Sequence, residues 1–348
     1  MKTIVIGGGI IGAAIAHRLT DLGEDVTVVE AGAGATAASF GWINASFFLN
    51  ADHFRLRQAG IEAWRRLGGD VAWTGCLCWE VQGAELDTQR TALQALGYGV
   101  EEMDKAGFQT LEPHIAVPDR ALRFAVEGVA EPAATAKRLL AGVRCITGVQ
   151  VEEITHVGGA VTGIRTAQGH MAGDRVVVAA GTASAALLAP LGVSLPMLKR
   201  PGVMVRTRPV PQVTSHVLVT PDGEVRQDAQ GRIWTPTAAN HQGDDTEQLE
   251  VPLDRAADAA VERLRALVPQ HDIAWDHVML THRPVPQDGL PVMGTAGPAG
   301  CFVTVMHSGV TLAAIAAELM AAQITDRALS NAEAALLAPY GVDRFQSG

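Results

Sequence analysis

The sequence predicts an α/β fold in which a Rossmann-type nucleotide-binding domain is joined to a discontinuous second domain, an α+β unit built on an antiparallel sheet. Three observations support this prediction. The chain begins with a short apolar run, a glycine-rich turn and an amphipathic segment. Two later apolar runs have the composition of further parallel strands. Between them lie short alternating runs that are separated by proline and glycine.

Length, charge and cysteine content limit the class of protein. With 348 residues and 48% hydrophobic residues, the chain exceeds the size at which one core usually stops growing, so we expect two domains. The formal net charge of -10 argues against a nucleic-acid partner, because phosphate backbones are bound mainly by clustered Lys and Arg. The four cysteines match no zinc or redox motif, so we expect no metal site and reduced thiols in the cytoplasm. His307, Ser308 and Glu318 interrupt the apolar stretch at 301–324, so no transmembrane helix is predicted.

The N-terminal segment has the pattern of a βαβ unit. Residues 3–6 form a continuously apolar, β-branched run, as in a parallel strand that is covered on both faces. Apolar residues then recur at helical spacing over residues 10–22, and Gly23 stands where a helix C-cap glycine belongs. A second strand is predicted over residues 25–29.

Later segments return to this sheet and divide the chain into two interleaved domains. Residues 175–181 and Cys301–Val305 are predicted strands, and a helix is predicted over Gly309–Ile324. We therefore expect a nucleotide-binding domain made of residues 1–50, 125–195 and 284–348. The second domain would comprise residues 51–124 and 196–283.

The second domain is expected to be an antiparallel sheet with helices. Short alternating runs at 203–206, Val217–Thr220 and 232–235 predict its strands. Residues 52–66 and 87–96 have helical patterns. A further helix is predicted after Asp254, which can act as its N-cap.

The glycine turn carries the clearest chemical signal. Gly7, Gly9 and Gly12 form GxGxxG between a predicted strand and a predicted helix, and Glu30 ends the next strand. The glycines allow a tight turn, close approach of a pyrophosphate and packing of the helix on the strand. The helix N-terminus favours the anion, and the Glu30 carboxylate can accept both ribose hydroxyl protons while repelling a 2'-phosphate. NADP is therefore disfavoured, but the motif alone does not separate FAD from NAD.

The sequence resembles the D-amino-acid-oxidase-like family of flavoproteins, which includes glycine and sarcosine oxidases and D-amino acid dehydrogenases. The resemblance rests on six stretches in the family's order: IVIGGGIIGAAIAHRL, ATAASFGWINASF, VVVAAGTASAALLAPLGVSLP, HRPVPQDGLPVMG, FVTVMHSGVTLA and LAPYGVDRF. It implies an FAD-binding domain of the Rossmann type.

The resemblance also implies which residues contact the cofactor. The loop after the acidic residue would wrap the flavin, and the backbone of a strand at 149–151 would hold the adenine. Residues 306–311 would lie against the pyrimidine side of the ring, where helix N-H groups stabilise the charge of the reduced flavin. The cofactor-binding residues expected are Gly7, Gly9, Ile11, Gly12, Glu30, Thr36, Ser39, Asn44, Val151, Gly181, His307, Ser308, Gly309, Val310 and Thr311.

Arg283 and His307 are the candidate catalytic residues, which would contact the substrate directly. HRPVPQDGLP resembles the family stretch whose arginine grips the substrate carboxylate, and a guanidinium meets a carboxylate with two parallel charge-assisted bonds. The alternative for Arg283 is a surface arginine paired with Asp276 or Asp288. For His307, the alternative is a loop histidine that only bonds backbone.

The chain departs from the family at several positions. Its tyrosines are Tyr98 and Tyr340, so the hydroxyl that many relatives place over the substrate has no counterpart in residues 196–283. No cysteine lies near Thr281, where sarcosine-oxidase relatives attach flavin covalently, so non-covalent FAD is expected. A lysine over the flavin cannot be identified, which leaves oxidase or dehydrogenase open.

The sequence therefore predicts an FAD-dependent enzyme that oxidises the C-N bond of an amino acid or N-substituted glycine-type amine by hydride transfer to flavin N5. One alternative is a 2-hydroxy acid dehydrogenase, with His277, His282 or His307 as the base. Another is a flavin-binding subunit of a hetero-oligomeric dehydrogenase. The expected partners are a small-molecule amine or amino acid and, in a homo- or hetero-oligomer, other chains.

Overall fold

The computed structural model describes residues 1–69, 71–238 and 246–346. Its two largest sheets are a six-stranded sheet that is mostly parallel and an eight-stranded sheet that is mostly antiparallel. The strands, in chain order, are β1 (Lys2–Ile6), β2 (Asp25–Glu30), β3 (Trp42–Ile43), β4 (Cys76–Cys78), β5 (Glu101–Asp104), β6 (Arg120–Phe124), β7 (Gly128–Val129), β8 (Arg144–Thr147), β9 (Val151–Val157), β10 (Ala160–Thr166), β11 (Gly169–Ala172), β12 (Arg175–Val178), β13 (Met197–Leu198), β14 (Pro201–Thr207), β15 (Val217–Thr220), β16 (Gly223–Gln227), β17 (Ile233–Pro236), β18 (Trp275–His282), β19 (Val285–Pro286), β20 (Val292–Thr295) and β21 (Cys301–Val305).

Helices connect these strands. They are α1 (Ile10–Asp21), α2 (Ala51–Leu67), α3 (Ala84–Ala95), α4 (Lys105–Leu111), α5 (Pro132–Leu139), α6 (Ser184–Leu188), α7 (Leu253–Leu267), α8 (Gly309–Ile324) and α9 (Asn331–Leu337). Within the described residues, none of them combines the length and the apolar character needed to traverse a lipid bilayer.

The six-stranded sheet has the order β20-β21-β12-β1-β2-β8. Strand β1 lies in its centre and pairs in parallel with β2 and β12, so that Val5 is flanked by Val28 and Val177. Buried β-branched side chains cover this part of the sheet on both faces, as a sheet with helices or strands on either side requires. The predicted strands of the nucleotide-binding domain are confirmed, except that β12 ends at Val178 and does not reach Gly181.

Helix α1 packs on this sheet through Gly12. A Cβ at Gly12 would lie 2.0 Å from the carbonyl oxygen of Gly7, so any side chain would push α1 away from the turn. Gly23 follows the helix with φ +81°, the left-handed conformation expected of a C-cap glycine. The predicted βαβ unit is therefore present, with its helix ending at Asp21.

Helix α2 packs along α8, although the sequence assigned the two helices to different domains. The Trp64 indole donates a hydrogen bond of 2.8 Å to the Val310 carbonyl. A Cβ at Gly60 would lie 2.6 Å from the Thr311 carbonyl, which shows how closely the two helices approach. The domain boundaries predicted from the sequence stay a prediction.

The eight-stranded sheet separates two hydrophobic layers. Its period-two alternation points one set of side chains at α7, which covers them with Ala257, Val261 and Leu264. The opposite face, which carries Met204 and Trp234, joins the core shared with α1 and α8. The predicted strands at 203–206, Val217–Thr220 and 232–235 are confirmed within two residues at each end.

The start of α7 differs from the prediction. Its N-cap is Pro252, and Asp254 lies in the first turn without capping the helix. A carboxylate in the first turn still interacts favourably with the helix dipole, which explains why an acidic residue is found there.

Candidate active site

A cavity of about 860 Å³ runs from the carboxyl ends of β1 and β2 to the inner face of the eight-stranded sheet. Residues 29–34 and 149–152 line one end, and residues 7–11 line the middle. The far end is enclosed by the sheet on one side and by the start of α8 on the other, with Phe40, Trp42, Arg57, Met204, Glu224, 280–283 and 306–311 in its wall.

The glycine turn leaves room for a ligand next to Glu30. Gly7 has φ +105°, and a Cβ there would lie 2.4 Å from the Ala179 carbonyl oxygen. A Cβ at Gly8 would lie 1.9 Å from Oε2 of Glu30, so the carboxylate rests directly against the turn. An acceptor at the end of β2 and a turn without side chains fit the ribose and pyrophosphate of a dinucleotide.

Thr36 lies at the N-terminus of α1. Its hydroxyl oxygen accepts a 2.9 Å hydrogen bond from the Ile10 amide, where Gly9 as N-cap offers no side-chain acceptor. The threonine hydroxyl can still donate its own proton to a phosphate oxygen. The expected anion site is therefore formed jointly by the helix N-terminus and by the loop that follows Glu30.

Asn44 is engaged by protein groups. Its side-chain oxygen accepts a hydrogen bond from Nη2 of Arg57 at 2.5 Å, and its backbone N-H donates to the Thr311 hydroxyl at 3.3 Å. The Thr311 hydroxyl in turn donates to the Trp42 carbonyl at 3.1 Å. The loop is thus fastened to the first turn of α8, and Asn44 lies in the cavity wall chiefly as a partner of Arg57.

A buried carboxylate that the sequence reading missed holds the same loop. Glu127 is fully buried, and its oxygens accept from the Trp42 indole, the Ala45 and Ser46 amides and the Tyr98 hydroxyl. Burial raises its pKa, and the hydrogen bonds from Ser46 and Tyr98 oppose this. Tyr98, which had no role in the sequence analysis, therefore supports the loop around the cavity.

The start of α8 faces the far end of the cavity. Ser308, its N-cap, has φ +56°, a left-handed conformation that turns the chain from β21 into the helix. The N-H groups of the first turn have no carbonyl four residues earlier within the helix, and Gly309, Val310 and Thr311 all line the cavity. His307 lies beside them, half-buried.

Arg57 is the second residue that the sequence reading missed. It is 2% exposed and lies on the face of α2 that packs against α8. Burial lowers its pKa to about 10, so it is cationic at neutral pH. A signal was present: Phe54, Arg57 and Ile61 fall at helical spacing within one apolar stripe, where an arginine is out of place.

Arg283 lies inside the protein, directly after β18. It is 7% exposed and lines the cavity, and its amide donates to the Arg200 carbonyl at 2.8 Å. A Cβ at Gly202 would lie 3.3 Å from Cγ of Arg283, so the side chain runs across the sheet over a glycine.

The burial of Arg283 does not fit a surface arginine, since 7% of the residue is exposed. Asp276 forms ion pairs with Arg206 and Arg232, and Asp288 pairs with Arg344.

The structure brings nearly all the predicted site residues to one cavity. Gly12 is the exception, since it lies beneath the turn and packs the helix on β1. Val151 lines the cavity as the first residue of β9, so the strand begins there and not at Val149. No cysteine is among the described residues of the cavity wall.

Comparisons with known proteins agree with this geometry. A family model described as FAD dependent oxidoreductase, DAO, matches residues 2–323. Glycine oxidase of Pseudomonas aeruginosa is 25% identical over 94% of this chain and 95% of its own, and D-amino acid dehydrogenase of Rhizobium rhizogenes is 26% identical over 57% of this chain and 65% of its own. The crystal structure of L-proline dehydrogenase from P. horikoshii has a TM-score of 0.84 and 20% identity over 99% of this chain and 97% of that one.

Proposed function

Because this chain belongs to the family of FAD-dependent oxidoreductases, we propose that it oxidises the C-N bond of an amino acid or an N-substituted glycine-type amine. FAD, when bound, would supply the electron acceptor, with N5 of the flavin accepting a hydride from the α carbon of the substrate. The imine product then hydrolyses. Relatives named glycine oxidase and D-amino acid dehydrogenase support this substrate class.

The cavity wall fits FAD as its cofactor. Glu30 would hold the ribose, the N-terminus of α1 with Thr36 would hold the pyrophosphate, and backbone near Val151 would hold the adenine. The far end would take the ring between the sheet and the first turn of α8. Since no cysteine stands in the described wall, we keep non-covalent attachment as part of the proposal.

The placement of Arg283 is the observation that carries the substrate assignment. Arg283 is buried at the sheet side of the far end and lines the cavity, where a guanidinium could bind a substrate carboxylate in the bidentate geometry that arginine prefers. Arg283 would then orient the substrate so that its α carbon faces the ring. The surrounding apolar wall, including Phe40 and Met204, would exclude water.

This chemistry needs little acid-base machinery, because a neutral amine loses its hydride without prior removal of a proton from oxygen. A 2-hydroxy acid would need a base. His282 and His307 line the cavity, whereas His277 does not, so these two are the candidates for that alternative reaction.

Anaerobic reduction of the purified yellow holoenzyme tests the proposal. Amino acids, N-methylated glycines and 2-hydroxy acids would each be mixed with the enzyme, and loss of the flavin absorbance would be recorded. We expect bleaching by at least one amine-bearing acid. Bleaching by hydroxy acids alone would assign the alternative enzyme, and no bleaching by any substrate would favour a flavin-binding subunit of a larger assembly.

A further inference from the structure

Arg57 is a buried cation in the cavity wall that the proposed oxidation does not use. Helix α2 carries it into the interior, where 2% of its surface remains exposed. Nε donates to the Asn44 carbonyl at 3.1 Å, Nη2 to the Asn44 side-chain oxygen at 2.5 Å, and Nη1 to the Ser308 hydroxyl at 2.7 Å. The guanidinium is therefore held rigidly by groups on both sides of the far end.

The partners of Arg57 are all neutral. In the described parts of the chain, no carboxylate lies within ion-pair distance of its guanidinium. Glu127 is the acidic group whose charge acts on it most, but that carboxylate is committed to four donors around the loop at 42–46. A buried charge with only neutral partners is unfavourable, so a nearby anionic ligand would stabilise the arrangement.

The location of Arg57 identifies which anion this is. Its bond to Ser308 places it at the start of α8, and a Cβ at Gly309 would lie 3.5 Å from Ile11, beside the start of α1. The N-terminus of α8 contributes positive potential at the same place. Arg283, which reaches the cavity from the sheet, is the cation already proposed for the substrate carboxylate. The pyrophosphate of FAD is assigned to the N-terminus of α1 with Thr36, so the ligand group that becomes anionic at the far end is the ring itself after it has taken up an electron pair.

We propose that Arg57 is a fixed cation that stabilises the negative charge which the flavin gains on reduction, and so raises its reduction potential. Asn44 and Ser308 hold the guanidinium so that little reorganisation is needed when the charge develops. This inference rests on the proposed function, through FAD binding and the assignment of Arg283 to the substrate carboxylate, but the flavin potential and the sulfite titration are measured without substrate.

The test compares the holoenzyme with Arg57→Met, which removes the charge, and Arg57→Lys, which keeps it. Arg66→Met is the matched control, because Arg66 lies on the same helix and bonds to Glu318 of α8 at the surface. The flavin potential is measured by equilibration with reference dyes, and sulfite, which forms an anionic adduct with flavin, is titrated in parallel. For Arg57→Met we expect the equilibrium constant for two-electron reduction to fall at least tenfold, about 30 mV, with weaker sulfite binding. Arg57→Lys should stay within threefold of wild type, and Arg66→Met should be unchanged.

Three results would overturn the proposal. The first is a potential for Arg57→Met that equals that of Arg66→Met. The second is an equally large fall in the potential of Arg57→Lys, which would show that the guanidinium is needed for its hydrogen-bonding geometry and not for its charge. If Arg57→Met fails to retain FAD, a fall of about 30 mV or more in the potential of Arg57→Lys still counts as this second result. The third is an unchanged potential accompanied by a loss of substrate affinity, which would make Arg57 a second carboxylate ligand.

Discussion

At the scale of single residues, Glu30 should contribute directly to FAD affinity. Its carboxylate lies against the glycine turn at the cavity edge. Replacement by Gln removes a charge-assisted acceptor for the ribose hydroxyls, so we expect Glu30→Gln to weaken FAD binding by about 1.5 to 3 kcal/mol. Titration of the apoprotein with FAD measures this. Asp25→Asn, at the opposite and exposed end of β2, is the control. Equal affinities for the two variants would show that Glu30 is not the ribose ligand.

Residues whose role follows from local pattern could be predicted, and residues whose role depends on packing could not. Gly7, Gly9 and Glu30 lie in a turn and at a strand end that can be recognised in the sequence. Glu127 supports the cavity loop only because residues 42–46 fold over it, and nothing near it in the chain indicates this. Arg57 is intermediate, since its position in an apolar stripe was visible but its partners were not.

At the scale of elements, the packing of α1 on the turn depends on Gly12. A methyl group there would meet the Gly7 carbonyl at 2.0 Å, and backbone cannot move away as a flexible side chain can. Gly12→Ala should therefore lower the free energy of unfolding by about 1 to 3 kcal/mol and weaken FAD binding. Gly99→Ala, where a Cβ would meet no atom within 4 Å, should change stability by less than about 0.5 kcal/mol. Urea denaturation measures the free energy of unfolding of both variants. Equal denaturation midpoints for Gly12→Ala and Gly99→Ala would contradict this account of the turn.

The start of α2 should make stability depend on pH. His53 accepts from the Leu49 amide through Nδ1, and burial, together with the charge of Arg57, lowers the pKa of its imidazole from 6.5 to about 3. Below pH 6.5 the unfolded chain binds a proton at His53 and the folded chain does not. The contribution of neutral His53 to the free energy of unfolding is therefore complete above pH 6.5 and is lost as the pH falls towards 3.

His53→Gln should remove that dependence. Between pH 7 and pH 5 we expect wild type to lose about 2 kcal/mol more unfolding free energy than the variant, at 1.36 kcal/mol per unit. Urea denaturation at the two pH values gives the comparison. Parallel losses in both proteins would mean that His53 does not titrate as the structure implies.

At the scale of the whole molecule, the site exists because two sheets meet around one cavity. The sequence predicted both, since β-branched runs and a glycine turn specify the parallel sheet, and alternating runs specify the antiparallel one. It did not predict that α2 would pack along α8, because that contact requires the long-range approach of Gly60 to Thr311. The residues that connect the halves of the cavity, Arg57 and Thr311, were thus either missed or assigned only by resemblance.

Arg283 lies where the sheet-based half of the molecule faces the nucleotide-binding half, so its replacement tests the proposed function most directly. The measurement is anaerobic stopped-flow reduction of wild type, Arg283→Ala and Arg232→Ala by the best amino-acid substrate and by its carboxamide. Removing one partner of a desolvated ion pair costs about 3 to 5 kcal/mol, against at most about 1 for an exposed pair such as Arg232–Asp276. We predict a loss of that larger size in Arg283→Ala for the acid, little change for the carboxamide, and near-normal behaviour of Arg232→Ala. Equal apparent dissociation constants in wild type and Arg283→Ala, or an equal loss for acid and carboxamide, would contradict the assignment of Arg283 as the carboxylate ligand.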